Sequence, residues 1–449
     1  MTQHIVDKTC SFNGSPRIRL LDSDLSSNPV CSHGSTLLFE DINNNKRYYS
    51  CSSCRNTKDC PFYMSAEEWL RIQSSDELKA KYMKSSSALT LDSKQKYFYD
   101  KSIRRLNENV IRFCRNCSLI ISSEEQMCGH ENHEIISEIT RNLLRNPTKL
   151  LNSLTDNKFC AQYLFANQTK KFVVNDIIKK NGFQYVVTIG CPTIHEYIEC
   201  RKIKLKIKSI LLDIDERHKQ FYSSKKYLKY NLFNNFFFNG LKDEKTFNNF
   251  IEKSPKESIV VLIDPPFGGL IEAMAKTIDK ISEIWRKCNQ IEDKSQTIPL
   301  LLFFPYFNEK RITTTIPSLR MSDFMVDYKN HNKFRSNGSG RKFGSPVRIF
   351  TNIELSSIVL PKSDGYYYCD YCIKYVSKNN KHCFACDDCT ARDGKPYNHC
   401  YDCNKCVKQT WSHCKGCRSC HLNQGSCPKR KSDSNCHKIM SKKVKKMMS

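Results

Sequence analysis

Ile259-Val-Val-Leu-Ile-Asp264-Pro-Pro-Phe267-Gly-Gly269 decides the fold of this 449-residue chain. Five apolar residues read as a buried strand, and an acid, two prolines and an aromatic residue follow directly. From about Leu150 to Pro361, apolar strands of this kind alternate with helical stretches, which predicts an α/β doubly wound sheet. Such sheets bind ligands at the carboxyl ends of their strands. We therefore expect a ligand site around Asp264.

Two further segments indicate the same edge. Tyr185–Ile189 reads as a strand that runs into a turn at Gly190 and Pro192. Ser209–Leu212 reads as the next strand, and the carboxylates Asp213 and Asp215 follow it. A carboxylate about twenty residues after the first turn is where nucleotide-binding sheets hold a ribose. One glycine is weaker than a full glycine-rich fingerprint, so an ordinary loop fits this turn equally well.

The residues after the Ile259–Ile263 strand suit one particular reaction. The lone pair of an exocyclic adenine amine is delocalised into the ring, so an enzyme that alkylates it must accept its hydrogens. Asp264 and the carbonyl of Pro265 can do so, since the prolines Pro265 and Pro266 remove N–H donors from the turn. Phe267 offers a face for a base taken out of its stack. The alternative is a strand-ending turn without chemistry.

Cysteine spacing indicates metal binding. Of 25 cysteines, thirteen fall between Cys369 and Cys436, where His-Cys-x2-Cys-x2-Cys occurs three times, at His382, His399 and His413. No apolar signal segment is evident in Met1–Ser50, so we expect an intracellular protein with reduced thiols. Cys-x2-Cys steps then predict zinc rather than disulfides.

The cysteine-rich region, residues 366–430, resembles the zinc module of DHHC palmitoyltransferases, whose ligand sets interlock along the chain. The resemblance implies the sets Cys369, Cys372, His382, Cys389; Cys383, Cys386, His399, Cys406; Cys400, Cys403, His413, Cys420; and, CCHC-like, Cys414, Cys417, His421, Cys427. Palmitoyl transfer itself is not expected. The tetrapeptide here is Tyr397-Asn-His-Cys400, and no apolar run is long enough to span a membrane.

Two smaller zinc sites are predicted nearer the N-terminus. Residues 28–70 resemble a GRF-type zinc finger, which implies the ligands Cys31, His33, Cys51 and Cys60, with Cys54 as a rival for Cys60. Such fingers usually bind single-stranded nucleic acid. Residues 71–149 combine a linker, expected to carry a short helix, with a C2H2-type finger. Its preferred ligands are Cys114, Cys117, His130 and His133, the two histidines sharing a helical turn, and Cys128 could replace one histidine.

The charge balance indicates a polyanionic partner. Lys and Arg exceed Asp and Glu by 72 − 46 = 26, which favours nucleic acid. A Gly/Ser-rich basic loop between Asp327 and Ile349 is a candidate phosphate clamp, or else a solvated loop; its cations are Lys333, Arg335, Arg341, Lys342 and Arg348. The basic tail, residues 431–449, fits nuclear or nucleolar addressing, or a disordered end.

Several motifs together carry a family resemblance. Asp264-Pro-Pro-Phe267 matches the [DNS]-P-P-[FYW] signature of S-adenosylmethionine-dependent amino methyltransferases. The other segments that match are Asn157–Asn167, Gly190–Glu196, Leu211–Asp215 and Tyr230–Asn234. With the zinc sites in the same order, the chain from Cys31 to Cys427 resembles the family of zinc finger CCHC domain-containing protein 4, which methylates N6 of adenosine in large-subunit ribosomal RNA.

The resemblance implies an α/β Rossmann-like S-adenosylmethionine-dependent methyltransferase domain over residues 150–362, flanked by N-terminal zinc fingers and a C-terminal cysteine-rich zinc module. It implies cofactor contacts at Gln162, Tyr163, Leu164, Phe165, Gly190, Pro192, Asp213, Asp215, Leu232, Phe233 and Asp264. It also implies that the catalytic residues are Asp264, Pro265, Pro266 and Phe267, and that the methyl group is transferred directly from the cofactor to the base. Zinc is expected to serve folding and RNA capture, and the protein is expected in the nucleus or nucleolus and the cytoplasm.

Two other functions fit the sequence. One is a zinc-finger RNA-binding or ribosome-assembly protein whose methyltransferase fold does not turn over. The other is the same methyl transfer to DNA, to another RNA or to a protein glutamine, since related motifs serve all these acceptors. Net charge and the three kinds of zinc module favour a nucleic acid.

Overall fold

A computed structural model describes residues 18–54, 58–91, 97, 99–105, 108–123, 125–154, 162–330 and 345–422. Four predicted features lie outside these residues. They are Cys427, the basic tail, residues 157–161 of the segment Asn157–Asn167, and the loop cations Lys333, Arg335, Arg341 and Lys342. The chain divides into two compact units, the first formed by residues 1–303, 311–319 and 328–330, the second by residues 304–310, 320–327 and 331–449.

The first unit begins with an antiparallel sheet and two helices. These elements are β1 (Ile18–Leu20), β2 (Val30–Cys31), β3 (Gly34–Ser35), β4 (Leu37–Asp41), β5 (Lys46–Ser50), β6 (Tyr63–Ser65), α1 (Ala66–Gln73) and α2 (Asp76–Leu91). Four strands pair in the order β1-β4-β5-β6, and β2 pairs with β3. Ser65 begins α1 by accepting a hydrogen bond from the Glu68 N–H. Helix α2 has 16 residues and is longer than the short helix expected in the linker.

A second small sheet follows. Its elements are β7 (Arg112–Cys114), β8 (Leu119–Ile121), β9 (Ile135–Ile136) and α3 (Arg141–Leu144). Phe113 is fully buried and joins a cluster that includes Leu211 and Phe221 of the main sheet region. This finger therefore shares a hydrophobic core with the larger sheet of the same unit.

Residues 167–315, which belong to the first unit except for 304–310, alternate strands with helices. In chain order these are α4 (Asn167–Lys171), β10 (Tyr185–Ile189), α5 (Pro192–Cys200), α6 (Lys202–Leu205), β11 (Lys208–Asp213), β12 (Tyr227–Asn231), β13 (Phe236–Phe237), α7 (Leu241–Glu252), β14 (Ile259–Ile263), α8 (Ile271–Cys288), β15 (Leu300–Pro305) and α9 (Glu309–Thr315). The strands lie in the order β13-β12-β11-β10-β14-β15, and all neighbours are parallel except β12 and β13.

Burial explains the composition of the central strands. Every residue of β14 is at most 1% exposed, because helices cover both faces of the parallel sheet. Such strands read as unbroken apolar runs, and they end where the chain emerges at the sheet edge. The carboxyl ends of β10, β11 and β14 consequently meet at one edge, which carries Gly190, Asp213 and Asp264.

The described residues of the second unit form one antiparallel pair and four hairpins that follow one another along the chain. The pair is β16 (Arg320–Ser322) and β17 (Val347–Thr351). The hairpin strands are β18 (Tyr366–Cys369), β19 (Lys374–Ser377), β20 (His382–Cys383), β21 (Asp388–Cys389), β22 (Tyr397–Cys400), β23 (Lys405–Lys408), β24 (Trp411–Cys414) and β25 (Ser419–Leu422). Each hairpin turns through one Cys-x2-Cys step.

The four hairpin turns share one backbone conformation. The residue after the second cysteine has a positive φ in every case: 51° at Ile373, 49° at Asp387, 46° at Asn404 and 52° at Arg418. A β-branched isoleucine rarely adopts this conformation, so the turn must be held by its surroundings. Ser118, after Cys117 of the second finger, has the same conformation at 56°.

The prediction for Arg348 is wrong. This residue lies in β17 and is only 2% exposed. Its guanidinium donates to the backbone oxygens of Ser345, Val347 and Arg392 within the second unit. A buried strand side chain that donates to backbone carbonyls cannot bind a phosphate.

No described helix has the length and apolar character needed to cross a membrane.

Candidate active site and metal centres

The turn after β10 lies directly against the end of β14. Gly190 has a φ of +67°, and a Cβ atom there would lie 2.7 Å from the carbonyl oxygen of Asp264. The Asp264 N–H donates to the carbonyl of Ile189 at 3.0 Å. Glycine is thus required by the backbone conformation and by the close approach. The turn at Gly190, which by its sequence fitted an ordinary loop equally well, lines a pocket.

Asp264 accepts a hydrogen bond from a residue that the sequence did not single out. The Tyr328 hydroxyl donates to its Oδ1 at 2.9 Å. Burial raises the pKa of Asp264 well above its ordinary value, and the Tyr328 hydrogen bond opposes that rise. From the described residues, no N–H or O–H donates to the carbonyl of Pro265. The Asp264 carboxyl and the Pro265 carbonyl are therefore two acceptors on consecutive residues that line the pocket after β14.

The two carboxylates after β11 have different environments. Burial raises the pKa of Asp213 to about 7, and the charge of Asp215 adds to the shift. Burial is also the largest single effect on Asp215, but the Arg217 hydrogen bonds, the charges of His218 and Arg217 and the Gln162 hydrogen bond together exceed it and lower the pKa of Asp215 to about 2. Arg217 Nη2 and Gln162 Nε2 each donate to Asp215 Oδ2 at 2.7 Å.

This arrangement separates the roles of the two acids. Asp215 is engaged by Arg217 and Gln162, and it ties the segment before α4 to the main sheet. Asp213 is the last residue of β11, and its Oδ1 accepts the Asp215 N–H at 2.9 Å. Asp213 is therefore the better placed of the two to accept a hydroxyl from a ligand.

Three aromatic rings stand around Asp264. Tyr163 and Phe267 are stacked with ring centroids 5.5 Å apart, and Tyr328 lies 5.8 Å from Tyr163 and 6.3 Å from Phe267. The rings give the pocket a flat apolar wall beside two hydrogen-bond acceptors. That combination suits a planar heterocycle with an exocyclic amine.

One pocket gathers nearly all the predicted site residues. Those that line it are Gln162, Tyr163, Leu164, Gly190, Pro192, Asp213, Asp215, Leu232, Phe233, Asp264, Pro265, Pro266 and Phe267. Phe165 does not line it. Its ring is 1% exposed and stacks on Tyr328 at 5.0 Å, so it supports the wall from behind. Alternation along the chain explains this, since Leu164 faces the pocket and Phe165 the opposite side.

The pocket also contains residues that sequence reasoning missed. Tyr230, Asn231 and Ser53 are among its lining, and Tyr328 contacts Asp264 at its edge. For Tyr230 and Asn231 a signal existed, because they begin the segment Tyr230–Asn234 that carried the family resemblance. Ser53 and Tyr328 had no such signal.

The structure brings together both predicted N-terminal ligand sets. Cys31, His33, Cys51 and Cys60 form one group, and Cys114, Cys117, His130 and His133 form another, with ligand atoms within 4.8 Å of one another. Cys54 also lies near the first group, with its Sγ 3.8 Å from His33 Nε2. Cys128 is exposed and outside the second group. His130 and His133 are joined by a turn rather than by the helical turn predicted for them.

The cysteine-rich module shows the interlocked pattern. The first three predicted sets are each assembled: Cys369, Cys372, His382, Cys389; Cys383, Cys386, His399, Cys406; and Cys400, Cys403, His413, Cys420. Within each of the three sets, one pair of sulfur atoms lies 3.7 Å apart. Two thiolates on a tetrahedral ion with bonds of about 2.3 Å are separated by about 3.8 Å, so the geometry fits zinc.

The fourth predicted set is described only in part. Cys414, Cys417 and His421 lie among the described residues, and Cys427 does not. The Cys417 N–H and the His421 side chain lower the pKa of the Cys414 thiol to about 6. These contacts bring the three described members together at the last hairpin.

Comparison with known proteins decides the family. A profile described as Probable N6-adenine methyltransferase matches residues 156–354. The rRNA N(6)-adenosine-methyltransferase ZCCHC4 of Homo sapiens is 37% identical over 365 residues, covering 79% of this chain and 70% of the relative. The chain belongs to this family.

Other relatives agree. The ZCCHC4 enzyme of Bos taurus is 38% identical over 79% of this chain and 70% of its own length. That of Xenopus laevis is 37% identical over 79% of this chain and 72% of its own length. The resemblance predicted from Asp264–Phe267 and the accompanying segments is thereby confirmed. The pocket described above lies within the family's methyltransferase region, except for Ser53 and Leu154, which precede it.

Proposed function

We propose that this chain is an S-adenosylmethionine-dependent methyltransferase that methylates N6 of an adenosine in large-subunit ribosomal RNA. Its relatives are named as rRNA N(6)-adenosine methyltransferases. The observation that carries the proposal is the acceptor pair at Asp264 and Pro265, which lies beside three aromatic rings. The fold we assign to residues 150–362 is Rossmann-like, because β12-β11-β10-β14-β15 follow the chain order 3-2-1-4-5.

The sheet order supports one position for the cofactor. In this fold a nucleotide crosses the carboxyl edge where the strand order reverses, which is between β10 and β14. Gly190 lets the backbone approach closely there, and Asp213 accepts a ribose hydroxyl at the end of β11. When bound, S-adenosylmethionine supplies an electrophilic methyl group on a sulfonium. Asp264, which follows the end of β14 and lines the same pocket, would hold the acceptor base for that methyl group.

The chain's own residues prepare the acceptor amine. Asp264 and the Pro265 carbonyl accept the two N6 hydrogens, which directs the nitrogen lone pair toward the methyl carbon. Tyr328 holds the Asp264 carboxyl in place, and Phe267 packs on the base. As N6 gains the methyl group, the sulfur–carbon bond breaks and N6 must release a proton. The raised pKa of Asp264 suits it to receive that proton.

A covalent route through the nearby cysteine is disfavoured. Cys191 is fully buried beneath the Gly190 turn. Burial raises the pKa of its thiol well above the ordinary value, and the charges of Asp264 and Asp213 raise it further. The thiol is therefore protonated and a poor nucleophile. Direct transfer from cofactor to base needs no such group.

The cysteine-rich module supports RNA capture in this proposal. We assign structural zinc ions to it and to both N-terminal fingers. Tyr371, Phe384 and Tyr401 lie in successive Cys-x2-Cys turns and are 68%, 73% and 84% exposed. Exposed rings on zinc-held turns give stacking positions for unpaired bases. The basic tail, by its sequence, fits delivery to the nucleus or nucleolus, with some protein in the cytoplasm.

Binding and product analysis test the proposal. Calorimetry should show that the unmutated protein binds S-adenosylmethionine. In the same assay, Asp264→Ala should weaken cofactor binding without abolishing it, because Asp264 is one of many residues that line the pocket. N6-methyladenosine mapping in ribosomal RNA should lose one site when the protein is absent from cells and when only Asp264→Ala is present. If the unmutated protein binds no cofactor, the non-catalytic RNA-binding function replaces this one; an unchanged map with cofactor binding intact would indicate another substrate.

A further inference from the structure

The first zinc finger contributes directly to the pocket. Ser53 lies in the Cys51–Cys54 step and lines the same cavity as Asp213 and Asp264. Its Oγ atom is buried, and among the described residues it has no hydrogen-bond partner. A buried hydroxyl left unpaired costs about 1–3 kcal/mol, so such groups usually meet a ligand or water. Ser53 therefore has the properties of a ligand-binding residue.

The same finger is fastened to the end of β12 by two asparagines. Asn231 Nδ2 donates to the His33 carbonyl at 2.9 Å and to Ser52 Oγ at 2.8 Å. Asn234 Nδ2 donates to the His33 carbonyl at 3.0 Å and to the Ser35 carbonyl at 2.8 Å. Both asparagines are at most 5% exposed. They thus bind the backbone around one zinc ligand, His33, and the residue that follows another, Cys51.

Asn231 also holds the pocket wall. Its Oδ1 accepts the N–H of Phe233 at 3.1 Å, and Leu232 and Phe233 both line the cavity. One side chain therefore joins the finger loop to the wall. The finger also approaches β13 closely at Gly34. A Cβ atom at Gly34, whose φ is +92°, would lie 2.5 Å from the Phe236 ring. The two segments cannot move apart without breaking these hydrogen bonds.

The position along the sheet edge identifies the part of the ligand involved. The distance across the sheet from β14 to β12 is three strand spacings, about 14 Å. If Asp264 holds the acceptor base and Asp213 of β11 binds the ribose, the adenine of the cofactor would extend over the end of β12. Leu232 and Phe233 are there, with Ser53 of the finger lining the same cavity. Ser53 can donate to or accept from the polar edge of that adenine.

We propose that the zinc finger of Cys31, His33, Cys51 and Cys60 is part of the cofactor pocket. Ser53 binds the adenine of S-adenosylmethionine, and Asn231 and Asn234 are positioning residues. Zinc binding at this finger and cofactor binding then strengthen each other, because linkage is reciprocal. The inference rests on the proposed function, and it adds a binding residue from outside the methyltransferase region.

The test uses full-length zinc-loaded protein, S-adenosylmethionine as the probe, and calorimetry. Ser53→Ala removes one hydrogen bond and should weaken cofactor affinity about 2- to 12-fold. Asn234→Asp replaces the amide that donates to two carbonyls by a carboxylate that faces them. It should weaken the affinity for S-adenosylmethionine about tenfold or more. In steady state both should raise the KM for S-adenosylmethionine and leave kcat within about twofold, since neither touches the acceptor base. Asn289→Asp is the matched control, because it loses an amide donor to the Trp285 carbonyl at the end of α8.

Hydrogen exchange supplies the second measurement. Adding cofactor should slow exchange in residues 31–54 and leave residues 383–406 of the cysteine-rich module unchanged. Unaltered affinity and KM in Ser53→Ala, together with unaltered exchange in residues 31–54, would overturn the inference. If Asn234→Asp fails to fold, Ser53→Ala decides alone, since it breaks no hydrogen bond among the described residues. Failure of the unmutated protein to bind the cofactor would instead reject the proposed function.

Discussion

Replacing Tyr328 with phenylalanine tests the acceptor site most directly. The substitution removes the hydroxyl that donates to Asp264 Oδ1 at 2.9 Å and keeps the ring, which stacks on Phe165 at 5.0 Å. A hydrogen bond to a charged group contributes about 1.5–3 kcal/mol. If the full contribution is expressed in the transition state, kcat falls about 10- to 150-fold.

The pH dependence carries additional information. The Tyr328 hydrogen bond lowers the pKa of Asp264 against the larger effect of burial, which raises it. Without the hydroxyl the pKa of Asp264 rises further, so at a given pH a smaller fraction is ionised and able to accept the amine hydrogens. The acid limb of the kcat profile should therefore move to higher pH in Tyr328→Phe. Part of the lost activity should return as the pH is raised.

The assay is single-turnover methyl transfer to an RNA substrate at saturating cofactor, measured from pH 6 to pH 9. Tyr366→Phe serves as the control, because its hydroxyl accepts the Met325 N–H at 3.0 Å and lies outside the pocket. The reasoning is refuted if Tyr328→Phe retains the unmutated rate. It is also refuted if the loss is the same at every pH, which would indicate a general loss of structure.

Four further outcomes are expected. Asp213→Asn should remove the rise in cofactor affinity between pH 6 and pH 8 that ionisation of Asp213, with a pKa of about 7, gives the unmutated protein; calorimetry at three pH values checks this. Asp264→Asn should gain stability relative to the unmutated protein as the pH rises from 4 to 8, measured by thermal unfolding at both pH values. A carboxyl whose pKa is raised on folding stabilises the folded protein below its unfolded pKa and loses that contribution as the pH rises. Gly190→Ala should lower stability by about 1–2 kcal/mol from its φ alone and abolish cofactor binding, measured by thermal unfolding and calorimetry. Phe384→Ala with Tyr401→Ala should weaken single-stranded RNA binding by about 1–3 kcal/mol per lost stack, measured by fluorescence anisotropy, while zinc content stays constant.

Local patterns allowed most of the site to be predicted. The β14 strand is buried on both faces, so its apolar run and the acid that follows are visible in the sequence itself. Zinc ligands are likewise set by short spacings within tight turns, which is why the first three interlocked sets are assembled as the resemblance implied. Each of these features depends on residues close together in the chain.

The missed residues depend on distant ones. Tyr328 reaches Asp264 from 64 positions further along the chain, after a short strand that is not distinctive in sequence. Ser53 is one serine among many, and only the docking of the finger on Asn231 places it in the pocket. The division of roles between Asp213 and Asp215 was also inaccessible, because Arg217 and Gln162 decide it through side-chain contacts.

Zinc is not required for methyl transfer chemistry, yet both N-terminal fingers contact loops that follow strands of the cofactor edge. Asn231 joins the first finger to the end of β12. Gln220, in the turn after Asp215, accepts the Ile120 N–H at 2.9 Å and donates to the Ser118 carbonyl at 2.8 Å in the second finger. Ser118 and Ile120 follow Cys117 in the hairpin formed by β7 and β8. Loss of the zinc ion from the second finger would therefore release the residues that hold the Asp213–Gln220 loop. Removal of zinc should therefore weaken cofactor binding before the main sheet unfolds, and each finger should contribute to that loss through a different strand end.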